Sequence, residues 1–115
     1  MAAGQRLICA ASDLAEAGRG VRFTLEQDGE PVPAFAVRFR GEVCGYQNRC
    51  GHIPVELDWN EGEFFDPSQL YLICSTHGAL YDPHNGHCRG GRCGGRGLTP
   101  VSLEERDGGI YLKDM

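Results

Sequence analysis

Apolar and polar residues alternate with a period of two through much of this chain. Val21-Arg-Phe-Thr-Leu-Glu26 and Ala34-Phe-Ala-Val-Arg-Phe-Arg40 are clear runs. That period puts successive side chains on opposite faces of a half-buried strand. Leu7 to Ala10 reads as a first short strand, and Val43 to Gln47 as another. Leu70-Tyr-Leu-Ile-Cys74 is a continuous apolar run, followed by a short strand from Leu80 to Asp82. Leu98 to Glu104 and Ile110 to Lys113 predict a closing hairpin around Asp107-Gly108-Gly109. Asp28-Gly29, Gly41-Glu42 and Pro83 to Gly86 read as turns. Ser12 to Gly18 predicts a single helical turn, with Ser12 or Asp13 as cap and Gly18 as stop. The count is roughly nine short strands, which predicts an all-β antiparallel sandwich.

Composition narrows this picture. A length of 115 residues predicts one domain over residues 1–115. The 17 glycines and six prolines argue against long helices and for strands joined by turns. A net charge of −5 argues against a general nucleic-acid binder. Met1 to Ala10 has no apolar signal core, and no stretch approaches a membrane span. The expectation is a soluble, cytoplasmic protein. Six cysteines also suit a secreted disulfide scaffold, a reading that the missing signal core weakens. Cys9 and Cys44 sit in apolar runs and read as small core residues.

Two short pairs of ligand-type residues carry the chemistry. Cys50-Gly51-His52 and Cys74-Ser-Thr-His77 each join one thiolate to one imidazole, with Ile53 to Ile73 between the pairs. Both pairs fall where strands pass into loops. Four such donors suit a two-iron cluster in which His replaces Cys on one iron. Thiolate is a soft anionic donor, whereas neutral imidazole brings no charge. Formal charges are roughly +6 from two ferric ions, −4 from two sulfides and −2 from two thiolates, so the oxidised centre is about neutral. Such a centre accepts an electron more easily than a four-thiolate one. A Cys2His2 zinc site is the alternative, but zinc motifs usually space their ligands as C-x2–4-C and H-x3–5-H.

With these residues the chain resembles the Rieske 2Fe–2S family. Gly45-Tyr-Gln-Asn-Arg-Cys50 looks like the family's approach to its first ligand loop, and Leu57-Asp58-Trp59 like the segment after it. His77-Gly-Ala-Leu-Tyr-Asp-Pro83 with Gly86 is similar to the stretch after the second loop. Cys88 to Leu98 resembles the third loop, which covers the cluster. The resemblance implies a Rieske-like sandwich with a cluster-binding subdomain built from the two ligand loops. It implies that Cys50 and Cys74 hold the inner iron, and His52 and His77 the outer one. Gly51 and Gly78 suit backbone amides approaching the cluster sulfurs, as well as ordinary turns. Tyr81 corresponds to a tyrosine that bonds a ligand sulfur.

The chain also departs from the family. Gly91-Arg92 stands where Gly-Pro is usual, which loses a fixed φ. High-potential members carry a disulfide between the ligand loops; the matching positions here are Pro54 or its neighbour and Ser75. They also carry a serine hydroxyl where this chain has Ala79. One donor lost and one kept implies a potential in the lower or middle part of the Rieske range, roughly −150 to +300 mV. Cys88 and Cys93 are spaced for a local disulfide, for a redox-sensing pair, or with His87 for a second metal site. His84 and His87 otherwise read as exposed turn residues.

The expected function is a Rieske-type ferredoxin. It would carry one electron from a flavin-dependent reductase to a terminal oxygenase or related oxidoreductase. Two alternatives remain at this level: a small subunit resembling that of nitrite reductase, and a zinc-stabilised binding module. No acid–base pair or nucleophile motif appears, so no catalytic residue is assigned and the chain is not expected to be an enzyme. Glu56, Asp58, Glu61, Glu63 and Asp66 lie between the ligand pairs, while Arg49, Arg89, Arg92 and Arg96 flank them. This segregation suits either ordinary solvated surface or a dipolar face that orients a redox partner.

Overall fold

The alternating run in the middle of the chain forms the longest strand and organises the rest. A computed structural model describes residues 6–49, 56–58, 60–74, 78–91 and 96–113. Among these residues the strands are β1 (Arg6–Ala10), β2 (Val21–Gln27), β3 (Glu30–Phe39), β4 (Glu42–Gln47), β5 (Leu72–Ile73), β6 (Leu80–Tyr81), β7 (Cys88–Gly90), β8 (Leu103–Arg106) and β9 (Gly109–Leu112). They form three antiparallel sheets with orders β1-β9-β8, β2-β3-β4 and β5-β6-β7. The all-β expectation is borne out. No helix of the described residues is long and apolar enough to cross a membrane.

β3 is buried on both faces, which makes β2-β3-β4 the middle layer. Phe35, Val37 and Phe39 join Cys44, Tyr46, Leu57, Phe64, Leu72 and Tyr81 in one core. Ala36 faces the other way, into a second core with Leu14 and Ile110 that Ile8, Val21, Phe23 and Leu103 flank. Alternation along a single strand thus serves two cores. Phe35 stacks on Phe64 with ring centroids 3.9 Å apart. Arg38, on the Ala36 face, pairs with Glu105 of β8 at 2.9 Å and donates from Nε to the Leu14 carbonyl at 2.9 Å. At the rim of the middle layer a Cβ on Gly45 would lie 2.5 Å from Leu103 Cδ1, so this glycine lets β4 and the β8 side chains meet.

Three two-residue turns join the long hairpins: Asp28-Gly29, Arg40-Gly41 and Asp107-Gly108, each with both residues at positive φ. That geometry matches the twist of paired strands. The β3–β4 turn therefore sits one residue earlier than Gly41-Glu42. Its two N–H groups, of Arg40 and Gly41, both donate to the Glu16 carboxylate.

Other boundaries differ for identifiable reasons. β3 begins at Glu30, before the predicted Ala34, and includes Pro31 and Pro33. The Pro33 carbonyl accepts from Asn48 N–H, so the edge on which proline lacks a donor faces away from β2. β4 reaches only as far as Ala34 along that edge. Leu98 to Ser102 forms no ladder of its own. It runs beside β4 instead, with Gln47 N–H donating to Thr99 O and Val101 N–H to Gly45 O. The predicted helical turn is a 3-10 turn at Ala11–Asp13, where the Asp13 carboxylate accepts from Ala10 N–H. Leu14, at φ −110° and ψ 98°, is already extended and ends the turn well before Gly18. β7 was not expected, because Cys88-Arg-Gly carries no alternation.

Candidate metal centre

The second ligand pair grows from β5. Cys74 follows that strand as a fully buried thiol outside any disulfide. Its N–H donates to the Ala79 carbonyl at 2.9 Å, and Gly78 N–H donates to the Cys74 carbonyl at 2.7 Å. These two bonds close the tip between β5 and β6. Gly78 turns there at φ 71°, in the left-handed region that glycine enters without strain. Leu72 stands opposite Tyr81 in the ladder. Cys74, Ala79 and Tyr81 therefore share one buried face and one core with Phe35 and Tyr46.

The described start of the third loop, residues 88–91, lies against residues 78–81. β7 pairs with β6, Leu80 opposite Gly90 and Tyr81 opposite Cys88. A Cβ on Gly91 would come within 2.4 Å of the Gly78 carbonyl oxygen and 2.9 Å of Ala79 Cα. With φ at 76°, the position is closed to other residues on both counts. Cys88 is disulfide-bonded, whereas Cys9, Cys44 and Cys74 are in no disulfide. His84 and His87 are exposed in the preceding turn, as the sequence suggests. That turn is locked onto β4, where a Cβ on Gly86 would meet Tyr46 Cε1 at 2.7 Å. Tyr46 donates its hydroxyl proton to the Pro83 carbonyl at 2.7 Å, and burial pushes its ionisation upward. Cys44 is a core residue as expected, its thiol pushed up to about 11 by burial.

Of the four expected ligands, Cys74 is described. Cys50, His52 and His77 lie outside the described residues, as do Gly51, Pro54, Trp59, Ser75, Arg92 and Cys93. The structure does bring Cys74, Gly78 and Tyr81 together. It also adds residues that sequence reasoning missed. Asn48, two positions before Cys50, is fully buried, and Asp58 is 6% exposed. Asn48 Nδ2 donates to Asp58 Oδ1 at 3.0 Å, and Asn48 Oδ1 accepts from Leu57 N–H at 2.8 Å. A polar residue wedged between an alternating strand and a ligand cysteine was the available signal.

Asp58 therefore belongs to the interior rather than to an acidic surface. Arg22 gathers much of the remaining acidity, with Nη2 at 2.8 Å from Glu56, Nε at 3.4 Å from Asp58 and Nη1 at 3.8 Å from Glu61. Burial opposes the Arg22 charge, but Asp58, Glu56 and Glu61 outweigh it and hold the guanidinium above its usual value. Arg49, Arg89 and Arg96 are exposed.

The profile of the Rieske [2Fe-2S] domain family matches residues 5–101. No curated protein matches the chain. Among solved structures, the ferredoxin of carbazole 1,9a-dioxygenase from Nocardioides aromaticivorans IC177 superposes with a TM-score of 0.71 at 19% identity, covering 96% of this chain and 98% of that one. The Sphingomonas yanoikuyae B1 ferredoxin gives 0.73 at 17% identity, covering 97% of this chain and 100% of that one. The terminal oxygenase of the Nocardioides carbazole dioxygenase gives 0.72 at 18% identity, over 96% of this chain but 30% of its own. At such identities the likeness is one of fold.

The described part of the site fits a Rieske-type cluster. Cys74 supplies a buried sulfur donor free of any disulfide. The glycine-only contact of Gly91 on Gly78 keeps bulk away from the tip, where backbone amides can face a ligand.

Proposed function

This chain belongs to the Rieske [2Fe-2S] domain family, and on that premise we propose that it is a one-electron carrier between a flavin-dependent reductase and a terminal oxygenase. When bound, the two-iron, two-sulfide group supplies one reversible single-electron site. Cys50 and Cys74 are assigned to one iron, His52 and His77 to the other. A ligating imidazole keeps its second nitrogen for a proton or a partner contact.

The observation that carries this reading is Cys74. It is a fully buried thiol outside any disulfide, held by backbone hydrogen bonds to Ala79 and Gly78, against which Gly91 rests. A sulfur donor buried from water, as Cys74 is, suits electron storage better than substrate turnover. The partner class is supported by one similar structure, described as a complex of reduced oxygenase and oxidised ferredoxin, which matches at a TM-score of 0.71 and 19% identity. We read residues 1–115 as a single carrier domain working in the cytoplasm, its role being to pass an electron and not to turn over a substrate; the family match over residues 5–101 supports the cluster on which that role rests.

Anaerobically purified protein should contain about two irons and two acid-labile sulfides per chain and give an EPR signal on reduction. It should take electrons from a flavin reductase and support turnover by a Rieske oxygenase. Zinc in place of iron, or a colourless protein, would overturn the reading.

A further inference from the structure

Asn48 and Asp58 form a buried polar strut across the base of the first ligand loop. Asn48 follows β4 directly before the first ligand pair, and Leu57 lies in the described stretch after it. A single side chain ties the two ends: Asn48 Oδ1 accepts from Leu57 N–H at 2.8 Å, and Nδ2 donates to Asp58 Oδ1 at 3.0 Å. Asn48 N–H is itself fixed to the Pro33 carbonyl of β3 at 2.8 Å. Asp58 passes the constraint onward, its Oδ2 accepting from Gly62 N–H at 2.9 Å and lying 3.4 Å from Arg22 Nε of β2. The Asp58 side chain is fully buried, so its charge is held by these partners and not by water.

We infer that Asn48 is a positioning residue for the Cys50–His52 pair, with Asp58 as its anchor. The inference rests on the carrier reading above and extends it to residues that touch no iron. A covalently open loop must lose conformational freedom when its ends are brought together. Here the protein has already brought the ends of 49–56 together through hydrogen bonds that need no metal. Loss of residues that orient metal ligands typically changes metal affinity by about 10- to 100-fold, which sets the scale expected here.

The bond polarity supplies a test that separates positioning from bulk or burial. Asn48→Asp sets a carboxylate against the Asp58 carboxylate. Asp58→Asn leaves one amide facing donors on both sides. The double exchange Asn48→Asp/Asp58→Asn restores every bond, with the carboxylate at position 48 accepting from Leu57 N–H and from the new amide, whose oxygen accepts from Gly62 N–H and Arg22. Iron release to a chelator should be about 10-fold faster in each single variant and near wild type in the double. The midpoint potential and EPR g-values of the remaining cluster should shift in the singles and return in the double. Single variants that match wild type, or a double variant no better than the singles, would overturn the inference alone. Wild-type protein that binds no iron would overturn the carrier reading and this inference with it.

Discussion

Ala79 is the position at which one side chain is expected to tune the proposed centre. It is fully buried on the face that also carries Cys74 and Tyr81. A methyl there offers no hydrogen bond to a cluster sulfur, whereas a hydroxyl would stabilise the reduced, more negative state. Ala79→Ser is expected to raise the midpoint potential, and Tyr81→Phe to lower it, from a wild-type value in the lower or middle Rieske range. Protein-film voltammetry checks both directions. An unmoved potential in Ala79→Ser would mean that this face does not reach the sulfides. Gly91 and Gly45 act by absence, since a methyl at either would overlap the Gly78 carbonyl or the Leu103 side chain.

At the scale of elements, two glutamates join strands that are distant in sequence. The hydrogen bond from Arg38 holds the Glu105 carboxyl below its ordinary value, linking β3 to β8. The N–H groups of Gly41 and Arg40 do the same for Glu16, which fastens the β3–β4 turn to the segment after β1. A carboxyl depressed in the folded state contributes stability that is full above its unfolded value and lost as pH falls through the folded one. The urea midpoint should therefore decline as pH drops below 4.5, the ordinary value for these groups. Glu16→Gln/Glu105→Gln should start less stable at neutral pH and lose less on acidification. Equal acid sensitivity in variant and wild type, followed by far-UV circular dichroism, would remove this account.

For the whole molecule, the layers differ in how they are held. The middle sheet has strands of 7, 10 and 6 residues, while the ligand-bearing sheet has strands of 2, 2 and 3. Short ladders open with less free energy than long ones. A metal that ties two loops contributes folding free energy where the protein alone is weakest. Removing the cluster should speed amide exchange at Leu72, Ile73 and Leu80 by at least about 10-fold, while Ala36 and Val37 stay protected. Uniform loss of protection across all three sheets would show that the layers unfold as one unit.

The sequence by itself determined most of the strands and the Asp28-Gly29 and Asp107-Gly108 turns, and it supplies the donor types proposed for the centre. Each of these is local. A period of two, a left-handed Asp-Gly pair and a C-x-x-H spacing act within a few neighbouring residues. Only the tertiary structure decided that β3 serves two cores, that Cys88-Arg-Gly pairs as β7, and that Gly91 rests on Gly78. It also withdrew Asp58 from the surface and set it against Asn48. Those outcomes depend on burial and on contacts between residues far apart along the chain, which local pattern does not encode.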